Sequence, residues 1–184
     1  MKKLFFVALL AAFACLSKPA QAQNNLVKLN LVTPLLATGS FYYERVINDS
    51  RSAQLGVFFT KFDELSGYGV TPEYRFYLSE TPAPNGFYVA PFLSFMRFTV
   101  EGDEEYFDGY NSYSSYKGSM TNFGGGLVAG RQWIFKDRVS FDIFVGPEYT
   151  GGSVKVEVGN EDQISDAGLG GFIARGGISL GLKF

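Results

Sequence analysis

The stretch Phe172-Ile-Ala-Arg-Gly-Gly-Ile-Ser-Leu-Gly-Leu-Lys-Phe184 alternates by twos. Leu182, Leu180, Ile178, Gly176, Ala174 and Phe172 fall on one side, and Lys183, Gly181, Ser179, Gly177 and Arg175 on the other. Period two is the pleat of a β-strand, and one apolar side against one polar side places the strand between two media. About nine to eleven such residues cross a bilayer as a tilted strand. The rest of the chain is therefore read for further strands with one side fit for lipid.

At the other end, Met1-Lys2-Lys3 precedes an apolar run from Leu4 to Leu16, then Ala20-Gln21-Ala22. A basic start, a short apolar core and an Ala-x-Ala site are the parts of a secretory signal peptide over residues 1–22, and the run is too short for a spanning helix. Cys15, the one cysteine, leaves with it. A second reading makes Cys15 a lipoprotein acylation site after Ala12-Phe13-Ala14, where Phe13 fits poorly. Cleavage after Ala22 leaves one exported domain, residues 23–184, without a disulfide. The 22 Gly, 11 Tyr and 19 Phe in the sequence mark it as rich in turn-formers and aromatics. No later segment is apolar for long enough to be a transmembrane helix, so a membrane protein here has to be a barrel. A net charge of −2 gives no electrostatic case for nucleic acid.

Eight segments read as strands: about Leu26–Leu36, Ser40–Ile47, Ala53–Phe62, Gly67–Ser79, Gly86–Glu101, Met120–Phe135, Val139–Tyr149 and Phe172–Phe184. In the fourth, Val70, Pro72, Tyr74, Phe76 and Leu78 alternate with Thr71, Glu73, Arg75 and Tyr77; the seventh is as regular. The fifth is apolar on both sides, which leaves its parity open, as is that of the Gly-rich sixth. Pro91 inside the fifth predicts a bulge or an unpaired donor. The connections near 48–52, 80–85 and 136–138 are short to medium, and the long ones, 102–119 and 151–169, are both odd-numbered. Long loops at one end and both termini at the other require an even strand count. The expected fold is all-β, an eight-stranded antiparallel up-and-down transmembrane β-barrel.

Apolar faces turned to lipid leave Lys28, Glu44, Glu73, Arg75, Asp142, Glu148, Arg175 and Lys183 inside. Charges withdrawn from water have to be paired, so a salt-bridged plug is expected. The sharper alternative, a proton path, ion pathway or catalytic site, weighs less than the plain need of a small barrel for a filled interior. Tyr42, Tyr43, Tyr74, Tyr88, Tyr149 and Trp133 suit aromatic girdles at the two interfaces. Asp103, Glu104, Glu105, Tyr106, Tyr110 and Tyr113 form an acidic, Tyr-rich surface loop, a candidate for binding an extracellular partner or, through weak calcium sites, lipopolysaccharide; a solvated loop with no ligand is the blander reading.

The sequence has no histidine. The hydrolases and acyltransferases known among outer-membrane barrels depend on one, so no enzyme activity is expected. Without histidine or a retained cysteine, no zinc or haem site is expected, and no metal or cofactor. Gly124-Gly-Gly126 lacks the Lys-Ser/Thr of a phosphate loop.

Lys28-Leu-Asn-Leu31, Tyr43-Glu44-Arg45, Pro72-Glu73-Tyr74-Arg75-Phe76-Tyr77-Leu78 and Gly86-Phe-Tyr-Val-Ala-Pro-Phe92 together resemble a family of small outer-membrane β-barrels of unknown function from Bacteroides-like bacteria. The resemblance implies an outer-membrane location in a Gram-negative bacterium and interior places for Glu44, Glu73 and Arg75. A final strand ending on Phe184 likewise resembles the closing strand of such barrels, where the terminal aromatic is part of the signal read by the barrel assembly machinery. The expected protein is a monomeric barrel among outer-membrane lipid and lipopolysaccharide, with a plugged interior and a structural or surface-interaction role. Two alternatives stay open: a narrow channel or carrier for small solutes, and a soluble lipocalin-like barrel with its faces reversed.

Overall fold

A computed structural model of the chain describes residues 24–106, 112–158 and 170–184, and the side chains of 102–116 and 154–158 fall outside that description. The expected signal peptide and Cys15 lie outside the described residues as well. Eight strands, β1 (Asn25–Asn30), β2 (Thr38–Asn48), β3 (Arg51–Phe62), β4 (Leu65–Tyr77), β5 (Gly86–Tyr106), β6 (Ser112–Phe135), β7 (Val139–Val158) and β8 (Gly171–Lys183), run in sequence order around a closed barrel. Every neighbouring pair is antiparallel, so the all-β, up-and-down fold is the one observed. β1 meets β8 with Lys28 opposite Gly181, and beyond that ladder Asn25 and Phe184 exchange backbone hydrogen bonds of 3.1 and 2.8 Å.

The short turns follow from local chemistry. Lys136 and Asp137 both take positive φ, as a two-residue hairpin turn requires, and the Arg138 N–H closes onto the Phe135 carbonyl at 3.1 Å. Between β2 and β3, the Asn48 side-chain oxygen accepts the Ser50 N–H at 3.0 Å.

Three expectations on element bounds are corrected. The first strand was expected to reach Leu36 but ends at Asn30, whose side-chain oxygen accepts the N–H groups of Val32 and Thr33 and draws the backbone out of the sheet. Pro34, with no N–H to give a ladder, then starts a 3-10 helix, Thr33–Leu36. The long connection expected over 102–119 is mostly strand, because β5 and β6 stay paired from Glu101↔Lys117 up to Tyr106↔Ser112. Likewise β7 continues past Tyr149 to Val158. Strands of 20 to 24 residues in β5, β6 and β7 outrun the 6 to 13 residues of the other five, so this end carries a protruding sheet.

Pro91 makes no bulge. Its pairing with β6 is continuous, whereas β4 and β5 pair only at Glu73↔Phe92 and Phe76↔Val89 between Val70↔Phe95 and Tyr77↔Tyr88, in one unbroken register. Pro72 on β4 and Pro91 on β5 both lie in this stretch, and neither has an N–H for the ladder. β6 and β7 also skip pairs beside Pro147, but there Gly126 and Gly146 let the two backbones come so close that a Cβ at either would strike a facing carbonyl.

The faces alternate as read on β1 to β4, β7 and β8, and the structure assigns the two left open. Tyr88, Ala90, Phe92 and Ser94 of β5 point inward, as do Val128 and Gln132 of β6. Phe87, Val89, Leu93, Phe123, Leu127 and Phe135 lie on the outside.

Candidate functional site

The interior is polar, and its centre is an ion-pair cluster drawn from strands that are not sheet neighbours. On β1, Lys28 alternates inward and reaches across to Glu44 Oε2 of β2 at 2.6 Å, Gln132 Oε1 of β6 at 2.7 Å and Asp142 Oδ2 of β7 at 3.3 Å. From β4, Arg75 donates through Nη1 to Asp142 Oδ2 at 2.8 Å and to Gln132 Oε1 at 3.1 Å, and through Nε to Glu73 Oε1 at 2.5 Å. Lys28, Glu44, Gln132 and Asp142 have no exposed surface. Carboxylates taken out of water need several donors each. Glu44 has Lys28, Ser52, Tyr77 and Gln132, and Asp142 has Lys28, Arg75 and Tyr88. The Arg75 guanidinium also lies 4.2 Å from the centre of the Tyr88 ring.

A second, smaller cluster lies further from the short turns. Arg175 of β8 is 3.8 Å from Glu148 of β7 and stacks 4.4 Å from the Phe92 ring centre, and Ser94 donates to Glu148. Between the clusters, the Tyr42 and Phe144 rings meet in a T-shaped contact with centroids 6.3 Å apart, and the Tyr42 hydroxyl accepts a hydrogen bond from Asn30.

The segment joining β4 to β5 folds inward at the short-turn mouth. Pro84 is fully buried, the Ala83 N–H donates to the Asp49 carbonyl of the β2–β3 turn at 2.8 Å, and the Pro84 carbonyl accepts from Gln132 Nε2 at 3.0 Å. Gln132 thus ties the cluster to this inward-folded segment.

Of the eight charged residues expected inside, Lys28, Glu44, Glu73, Arg75 and Asp142 form the central cluster and Glu148 and Arg175 the second. Lys183 joins neither; it lies half-buried at the rim beside the β6–β7 turn, with its backbone N–H on the Arg138 carbonyl. Two residues assigned to the girdles are corrected: Tyr42 and Tyr88 point into the lumen, at 8 % and 1 % exposure, because their parity matches Glu44 and Ser94. Gln132, Ser52 and Ser94 were missed, and Tyr77, read on the polar side of the fourth strand, was not counted among the cluster residues. A signal for Gln132 was present, since Gly124, Gly126 and Gly130 share its parity, and small residues mark the crowded side of a narrow barrel. Asp103, Glu104, Glu105, Tyr106 and Tyr113 fall on the protruding β5–β6 hairpin with their side chains outside the described set, and Tyr110 lies outside the described residues altogether.

A closed eight-stranded barrel with buried ion pairs in its interior is the class this geometry defines. The chain belongs to the family described as protein of unknown function (DUF3575), whose model matches residues 5–156. It is similar to the N-terminal β-barrel domain of Pseudomonas aeruginosa OprF, with a TM-score of 0.43 and 13 % identity over 89 % of this chain and 100 % of that one. No curated protein matches it.

Proposed function

We propose that this protein is a non-enzymatic integral barrel of the outer membrane of a Gram-negative bacterium, closed by its own interior and acting as a structural or surface-interaction protein. One observation carries the reading: the barrel is inside out relative to a soluble protein. Lys28, Glu44, Glu73, Arg75 and Asp142 are buried, while Leu29, Phe41, Leu55, Phe59, Leu93, Leu127, Val145 and Leu182 are exposed in a continuous outer band. An exposed apolar surface of that extent is stable only against lipid. A lipocalin-like barrel would need the opposite faces.

The filled lumen favours a brace over a channel, since Lys28 and Arg75 span it with their ion pairs at hydrogen-bond distance. The protruding β5–β6 hairpin bears Asp103, Glu104, Glu105, Tyr106 and Tyr113 and is the surface offered to an extracellular partner or to lipopolysaccharide. In this reading Phe184, paired with Asn25 at the seam, is the residue the assembly machinery reads, and the barrel works as a monomer.

The test is fractionation of cells expressing the full precursor, with boiled and unboiled samples of the membrane fraction compared on gels. A band in the outer-membrane fraction that shifts on boiling is expected. Recovery in the soluble periplasmic or secreted fraction would overturn the membrane reading.

A further inference from the structure

At the end of the barrel away from the termini, six side chains of β3, β4 and β5 form two rows on the outer face. In one row Ser66 lies between Lys61 and Thr99, and in the other Tyr68 lies between Phe59 and Arg97. Both rows line a single hollow of about 280 Å³. All but Phe59 carry hydrogen-bond donors, and two of the donors are cations. Lys61 and Arg97 are exposed, and among the described residues neither forms an ion pair. Asp63 and Glu64, in the turn beyond Lys61, do not line the hollow. Among the described side chains on the outer faces of the strands, Glu101 is the one carboxylate, and it lies 3.5 Å from Lys117.

Toward the short turns, the same three strands become apolar on this face. The next row is Val57, Val70 and Phe95, side by side across the ladders, and Leu55 beside Pro72 follows. A cationic, donor-rich hollow at the rim thus stands directly over an apolar column. That sequence of chemistries complements an amphiphile with an anionic head.

We infer that the hollow holds the phosphate head of an outer-leaflet lipid between Lys61 and Arg97, with an acyl chain of that lipid against Val57, Val70 and Phe95. A phosphate brings acceptor oxygens to these donors, and it suits both a planar guanidinium and a compact ammonium. An alcohol of equal chain length brings no charge. The inference rests on the membrane reading given above, in which the end away from the termini faces the outer leaflet.

The test uses the full mature chain folded in dodecyl maltoside micelles, whose heads carry no phosphate, after a heat-modifiable band has shown that the barrel is formed. It is titrated with dodecyl phosphate and, separately, with dodecanol and with inorganic phosphate. Binding is followed on the Thr99 methyl group by isotope-edited NMR. A saturable shift with dodecyl phosphate is expected. Each cation at such an interface strengthens the binding of an anion on the order of fivefold, so dodecanol and the double variant Lys61→Gln with Arg97→Gln are each expected to bind at least about tenfold more weakly. Arg45→Gln, which removes an exposed cation near the short turns, should leave the affinity unchanged. Inorganic phosphate, which has no chain, should give no saturable shift over the same concentrations. Equal binding of alcohol and phosphate amphiphile overturns the inference, as does an unchanged affinity in the double variant, an equal loss in Arg45→Gln, equal binding of inorganic phosphate, or the absence of a saturable shift in the folded, unmodified barrel. A chain that gives no heat-modifiable band overturns the membrane reading instead.

Discussion

Arg75 Nη1 lies 2.8 Å from Asp142 Oδ2 although the two residues are 67 positions apart and sit on β4 and β7, which share no ladder. The contact crosses the lumen. It therefore reports the shape of the whole barrel, because a change in tilt or register of either strand would part the two groups.

Replacing Arg75 by Met keeps most of its volume and leaves Glu73 and much of Asp142 without their donor. Removing one partner of a buried ion pair costs about 3–5 kcal/mol, since the remaining charge stays buried. The fraction of unboiled, fast-migrating protein should collapse at a lower urea concentration than for the unmodified chain. An unchanged midpoint would mean that the cluster bears no load.

Lys28 and Glu44, 2.6 Å apart and fully buried, should behave as one unit. In a double-mutant cycle of Lys28→Met and Glu44→Gln, the double variant is expected to be more stable than the sum of the single losses, with a coupling of about 0.5–3 kcal/mol. Urea titrations of the four proteins give the coupling directly, and simple additivity would show the pair to be energetically separate.

Gly126→Ala places a methyl group against the Pro147 carbonyl, and backbone cannot swing aside as a side chain does. A loss of about 1–3 kcal/mol is expected from this overpacking. Gly151→Ala, where a Cβ meets nothing, is the matched control and should leave the urea midpoint where it was.

Trp133, the one tryptophan, stacks on Phe141 with centroids 5.8 Å apart near the β6–β7 turn, on the outward parity. Its fluorescence should be quenched more by lipids brominated near the headgroup than by lipids brominated at the chain end. Equal quenching by both, or quenching only by a water-soluble agent, would contradict its place in the belt.

Removing Asp103–Ser115 joins Gly102 to Tyr116, which already face each other across the β5–β6 ladder. The shortened hairpin should leave the heat-modifiable band intact while abolishing surface ligand binding. Loss of that band would show the protruding hairpin to be part of what holds the barrel.

Much of this was legible in the chain because an apolar outer face against a polar lumen writes a period of two into most of the strands. Glu73-Tyr74-Arg75-Phe76 displays that period openly, and the cluster members Lys28, Glu44, Glu73, Arg75 and Asp142 could be read from it. Where the lumen itself takes apolar groups the period disappears: Tyr88, Ala90 and Phe92 face inward between the outward Phe87, Val89, Pro91 and Leu93, and no hydropathy contrast marks the difference. Tyrosine is ambiguous for the same reason, since its ring suits a lipid interface and its hydroxyl suits Asp142 equally well. The length of β5 and β6 was hidden by acidic residues, which look like a loop but pair as a hairpin. The interrupted pairing at Pro72 and Pro91 depends on the register between two strands, a relation that no single segment contains.

The seam between β1 and β8 also fixes an order of events. Lys28 belongs to β1, and its partners Gln132 and Asp142 lie on β6 and β7, more than a hundred positions downstream. Until the first strand meets the last, the cluster has no closed wall around it, and Lys28 keeps Glu44 of β2 but lacks Gln132 and Asp142. Holding even one of them at the centre of a bilayer costs about 2.5–3.5 kcal/mol. In the membrane reading proposed above, an open sheet holds this cluster short of its cross-barrel partners, so entry into the membrane and closure of the ring are expected to be coupled.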